Sequence, residues 1–317
     1  MGAIEEGFRH FWLRDIHRVS GVTKAGLGLW ITRNDFITVR VGGRDDFSIR
    51  VLNPEEATRG VAHDSSSMAS AAFETMLGLE PVKNLPKSTA WVVIRAYYAA
   101  FFAAHSLLRM FGTSCLQLES PQIKALDRNA TVFGCLPTQG FESGFYIVRY
   151  DASTSEIHFR KSTAGRGSHE VLWEVFAAKL REVSNHLLTV SSRFTGPALQ
   201  LADLENLLKQ DGLTRGTWLS HIRNLVNYRH EFGLWFPYSG SQVSTVELVK
   251  ISRNWKSDPD GLLPIPKADR VTLHLRLCTV IVAICHAVVC DMEVNAVRRK
   301  SFHAYGSLAL TRMATGR

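Results

Sequence analysis

A mainly α-helical bundle with a small N-terminal β segment and an inserted β-hairpin is the fold that this sequence predicts. Three observations carry the expectation. The stretch 89–110 is apolar on nearly every face of a helix and stops before Gly112. A second apolar run, 277–290, lies between Arg276 and Asp291 and is too short to span a bilayer, so it reads as a buried helix. Runs of β-branched and aromatic residues around turn sequences occur at 29–51 and at 145–160.

Taken in order, residues 1–53 read as a β-containing entry. Stretches 29–41 and 47–51 are rich in Ile, Val, Phe and Thr, with Gly42, Gly43 and Asp45 between them. At Asn53 the pattern turns helical: Pro54, Glu55 and Glu56 suit a first helical turn, and the helix is expected to reach Leu79. Ser88 is placed to cap the next helix, 89–110, which its composition makes the central one. Its alanine pairs at 99–100 and 103–104 allow a neighbouring helix to approach closely. Residues 113–167 are turn-rich and carry a hairpin, 145–150 with 156–160.

Further helices are expected at 168–190, 198–210, 217–232 (with Thr217 as cap) and 267–297. Residues 233–266 hold four of the ten prolines and read as an excursion. The basic tail 298–317 is expected to be loosely ordered. The chain thus divides into a β segment 1–53, a helical domain 54–297 with insertions at about 113–167 and 233–266, and a tail.

Composition narrows the function classes. A net charge of +8 suits a polyanionic partner such as RNA. The five cysteines form no Cys-x-x-Cys pair, which fits a reducing compartment and gives no metal signature. Residues 1–18 lack the apolar core of a signal peptide, so a soluble cytoplasmic protein is expected, with no membrane partner. No glycine-rich phosphate loop, Ser-His-Asp order or metal-ligand cluster stands out, so neither metal nor cofactor is expected.

The most informative stretch runs from Arg223 to His230. On an unbroken helix a seven-residue step turns about 700°, placing the two side chains within about 20° of one another, with Asn227 one turn from Arg223. Spacing alone says little. An Arg followed by His after four to six residues occurs four times here, where random placement supplies roughly three. Context separates the four. Arg215 precedes a glycine and a helix start, Arg181 is followed by an acid, and Arg298 with His303 lies in the tail. Only Arg223 is followed by a neutral amide, Asn224, on an amphipathic helix, with His230 expected at that helix's positive-charge-favouring end.

An Arg, a polar residue and a later His near the end of a helical bundle resembles the signature of the HEPN superfamily. The helix carrying Arg95, Tyr97, Tyr98, Ala99, Phe101, Ala103, Ala104, Leu107 and Leu108 is similar to one common in such bundles. The likeness covers about 54–112 and 168–297. It implies a metal-independent endoribonuclease, possibly a toxin or antiviral defence effector. Arg223 would bind the scissile phosphate, His230 would move the proton and Asn224 would orient one of the reacting groups. Asn227, Arg229, Arg95 and His105 are candidate substrate contacts.

The two side chains are about 10 Å apart in helical rise, so a homodimer or higher oligomer is expected to bring one chain's Arg to the other's His. An antitoxin or regulatory protein is a further candidate partner. Two other classes stay open: a non-catalytic HEPN-type module that binds a nucleotide or partner, and a regulator whose N-terminal segment senses a ligand. The bland readings are a solvated face for Arg223 and His230, a helix-surface pair for His105 and Arg109, a carboxylate partner for Arg95, a core histidine at 286, and Trp235 and Phe236 as either base-stacking groups or anchors to the core.

Overall fold

The computed structural model describes residues 2–79, 89–163, 167–241, 243–298 and 300–314. A short helix α1 (Ala3–Phe8) opens the chain, followed by two turns of tighter helix and α2 (Leu27–Thr32). The first hairpin is β1 (Phe36–Val41) and β2 (Asp46–Val51). Residues 29–32, expected as strand, are helical because Leu27, Trp30 and Ile31 bury together at helical spacing. Helix α3 (Pro54–Leu77) starts where its proline and acids place it, and the Asn53 side chain accepts the Glu56 amide at 3.3 Å.

Helix α4 (Thr89–Met110) has the bounds its sequence predicts; Ser88, the expected cap, lies outside the described residues. Its four alanines at 99, 100, 103 and 104 are fully enclosed. α3 comes close enough for the Ser65 and Ser106 hydroxyls to sit 3.1 Å apart. The next segment is more ordered than its turn-rich composition implies. It forms β3 (Thr113–Leu118), α5 (Ser120–Val132) and the hairpin β4 (Gly144–Asp151) with β5 (Glu156–Lys161).

The two hairpins are not separate additions. β2 pairs antiparallel with β5, Phe47 opposite Phe159, giving one sheet of order β1-β2-β5-β4-β3. The rings of Phe47 and Phe159 stack at 4.8 Å across that junction. Asn129 of α5 secures the edge strand: its carbonyl accepts the Thr38 amide at 2.8 Å and its amide donates to the Phe36 carbonyl at 2.7 Å. β3 rests against α4, so the sheet flanks the bundle.

The remaining helices are α6 (Ser168–Val190), α7 (Thr195–Leu207), α8 (Trp218–Tyr228), α9 (Thr245–Ser252), α10 (Pro259–Leu262), α11 (Arg270–Val294) and α12 (Ser307–Ala314). α4 touches α3, α6, α8, α9 and α11. By length and composition α4 and α11 are apolar enough to cross a membrane, yet most of each is buried within the fold. The described part of the tail is packed: Phe302, His303 and Ala304 are buried, and α12 packs on α3. Thr217 precedes α8 without a side-chain capping bond, against expectation, because its backbone is already near-helical.

A buried ion pair helps bind the N-terminal segment into the helical body. Arg9 donates from Nε and Nη2 to the Asp291 carboxylate of α11 at 2.7 and 2.5 Å, and the Asp291 side chain is almost wholly enclosed. Arg9→Ala leaves that carboxylate buried without its cation. It should cost about 3–5 kcal/mol in denaturant unfolding, against less than about 1 kcal/mol for exposed Arg14→Ala.

Burial also sets the acid limit of stability. It pushes His274 of α11 down to about 4 and His303 to about 3, so both are neutral at pH 7. In the unfolded chain they protonate near about 6.5. The unfolded state therefore binds more protons below that value, and stability falls as pH drops from about 6.5 towards 4 while staying level above it. Unfolding free energies at about pH 7.5, above the window, and at about pH 5.5 and 4.5, within it, check this, and a flat profile would contradict the enclosed histidines.

Candidate functional site

Helix α8 buries Trp218, Leu219, Ile222, Leu225 and Val226 at helical spacing and carries Arg223 inward beside them. Arg223 is only 5% exposed. Its guanidinium lies 5.1 Å from the ring centre of Tyr97, 5.9 Å from Tyr98 and 5.8 Å from Tyr228. Nη1 makes a long 3.5 Å contact to the Tyr228 hydroxyl, while Nε is buried with no hydrogen-bond partner among the described residues. No carboxylate among them lies within ion-pair distance.

Arg109 is the instructive contrast. It is equally buried, but its guanidinium donates to His105 Nδ1 at 2.9 Å, the His105 carbonyl at 3.0 Å and the Cys115 carbonyl at 3.4 Å. Burial lowers the pKa of both His105 and Arg109, and each is held by the other. The expected surface pair is thus an internal one. His105, offered by its sequence position as a substrate contact, is enclosed and engaged with Arg109.

The structure adds a residue that the sequence did not single out. His169, in the first turn of α6, is 2.9 Å from the Tyr97 hydroxyl through Nδ1, and Trp173 Nε1 donates to the same hydroxyl at 3.1 Å. Its ring lies 4.3 Å from that of Phe101. Burial and then the nearby Arg223 charge push His169 down to about 4, leaving a neutral imidazole beside the guanidinium. Burial likewise raises Tyr97, which Arg223 partly counteracts. A lone His after a serine at a helix start carries no sequence signal; only packing onto Tyr97 makes it visible.

His230 is not on the Arg223 stripe. α8 ends at Tyr228, and His230 adopts a left-handed backbone with φ 54°. The cause is the reversal that follows. Trp235 Nε1 donates to the Val226 carbonyl at 2.8 Å, taking up an acceptor of the last turn, and Phe232 and Gly233 are also left-handed. The expected helix to residue 232 is therefore cut short. His230 instead stacks 5.6 Å from Trp235, whose ring meets Trp91 of α4 at 5.5 Å.

These contacts make one surface. Trp91, Arg95, Tyr98 and Phe102 follow each other along the open side of α4. Trp91 is 48% exposed, Tyr228 71% and Phe236 82%, while Trp235 is anchored below them. Arg95 is exposed and donates to the Gly78 carbonyl at 3.1 Å rather than to a carboxylate. Arg229 is exposed at the rim, and Asn224 and Asn227 are half-buried. His286, by contrast, sits between Phe73 and Trp255 as a core histidine. A carboxylate group that the sequence reading did not foresee, Glu5, Asp258 and Asp260, gathers at the amino end of α1, where Asp260 accepts the Ala3 amide at 2.8 Å.

No protein-family model, curated relative or solved structure matches this chain.

The proximity of Arg223 and His169 predicts a titration. By NMR the His169 ring should titrate near about 4, and Arg223→Ala should raise that midpoint, since removing a cation eases protonation. A midpoint unmoved by the substitution would separate the two groups.

Proposed function

We propose that this chain is a metal-independent endoribonuclease of HEPN type acting on single-stranded RNA. The observation that carries the reading is the Arg223 guanidinium: buried, without a carboxylate partner among the described residues, and packed beside Tyr228, which is itself largely exposed. A buried cation is expensive unless an anion meets it, and stacking on tyrosines offsets only part of that cost. A phosphodiester supplies the anion, with two oxygens in the geometry of the arginine fork. Trp91, Tyr228 and Phe236 offer faces on which unpaired bases stack, and Arg95 and Arg229 lie where backbone phosphates would run.

In this reading Arg223 holds the scissile phosphate and steadies its developing charge. His230 takes the proton of the ribose 2′-hydroxyl or returns one to the leaving 5′-oxygen. Asn224 orients the reacting groups and Asn227 lies alongside. The products are a 2′,3′-cyclic phosphate and a 5′-hydroxyl end. Because His230 leaves the helical stripe, a second copy brought against the open side of α4 completes the site, its His230 meeting this chain's Arg223. Five unpaired cysteines and the net charge of +8 fit an RNA-directed protein of the cytoplasm, acting as a toxin or antiviral effector under a regulatory partner.

A second reading is favoured by the depth of Arg223 and the displacement of His230. It is a non-catalytic module of the same type that binds RNA or a nucleotide on this face. One experiment separates the two. Wild type should cut single-stranded RNA in EDTA to 5′-hydroxyl products. Arg223→Ala and His230→Ala should each lose about 10²-fold or more, and Arg223→Lys should not restore it. Binding without cleavage in all proteins selects the module. Equal cleavage by all of them ends the nuclease assignment of these residues.

A further inference from the structure

A cleft lies away from α8 and shares no residue with its face. It encloses about 570 Å³ where the N-terminal segment, the start of α3, the β4–β5 turn and the chain after α11 converge. That volume is in the range of sites for small organic ligands. Two properties of its wall define the ligand.

The first is charge. Arg14, Arg18 and Arg298 line the cleft against the carboxylates Asp15 and Glu55. Glu55 is drawn to Arg59 at 3.6 Å, outside the cleft lining, and Asp15 is shared between Arg18 at 3.1 Å and Arg14 at 3.6 Å. Among the described residues Arg298 bonds the Ser20 hydroxyl alone, at 3.4 Å. The lining thus sets three guanidiniums against two carboxylates, and the surplus is one positive charge.

The second is shape. The same lining holds Val19, Ala152 and the half-buried Tyr150. A half-buried aromatic residue in a cationic lining suits a flat ring carrying an anionic chain. The backbone is also held in a demanding form there: Asp15 and Ser155, both lining the cleft, are left-handed with φ of 65° and 56°. Non-glycine residues adopt that region at a cost, and such positions gather at ligand sites.

We infer that this cleft binds a nucleotide, its phosphates on Arg14, Arg18 and Arg298 and its base against Tyr150. The inference is independent of the nuclease reading. It is tested by calorimetric titration of the full chain with ATP and with adenosine, both without metal. ATP should bind saturably at concentrations up to about 1 mM, at least about tenfold more tightly than adenosine. The double variant Arg18→Glu/Arg298→Glu should weaken ATP by at least about tenfold, and Arg223→Ala should leave it unchanged. Both arginines of the double variant are exposed, so a thermal melt should show it folded as wild type. Absence of saturable ATP binding, equal affinity for adenosine, or equal affinity of the double variant overturns the inference. Loss of ATP binding in Arg223→Ala alone would move the nucleotide to the α8 face and overturn it equally.

Discussion

The molecule is organised by the need to enclose α4. Nearly every turn of this helix carries apolar side chains on more than one face, so no single partner can cover it. Small residues at 99, 100, 103 and 104 let α3 come to within hydroxyl contact of it, and α6, α8, α9 and α11 close around the rest. The line from Trp91 through Arg95 and Tyr98 to Phe102, with Phe101 beside it, is left partly open. This side of the core helix is therefore aromatic and basic, and it is there that α8 delivers Arg223.

Arg223 and Arg109 show how differently two equally buried arginines can be surrounded. Both are enclosed on or beside α4. Arg109 finds a histidine nitrogen and two carbonyls within reach, although its Nε, like that of Arg223, has no partner among the described residues. Arg223 has aromatic faces, a distant tyrosine hydroxyl and an unmatched Nε. The difference lies in what surrounds each cation, since neither has a carboxylate against it. His169 follows from the same environment: its imidazole is kept neutral by burial and by the guanidinium that shares its tyrosine neighbours.

The sheet and the tail illustrate long-range decisions of another kind. Each hairpin has a readable local pattern, yet what joins them is Phe47 lying opposite Phe159, a pairing between distant segments. β3 and α5 escaped notice because their alternation is weak and their stability comes from β4 and from Asn129 reaching β1. The basic tail looked solvated by composition, but Phe302 and Leu308 find cover against α3, and Ser301 bridges back to Ser20.

Sequence by itself determined the mainly helical class, the bounds of α3, α4 and α6 and the central place of α4, because helix period, capping and all-round apolarity are local properties. It also singled out Arg223 from among four similar Arg–His spacings. Tertiary structure alone decided that Arg223 is a buried cation, that His230 leaves the helix and that His169 joins the site. The physical reason is that each depends on partners remote in the chain: Tyr97 beneath the guanidinium, Trp235 folding back on Val226, and α6 laid along α4. No periodicity in the residues around 223 encodes those contacts.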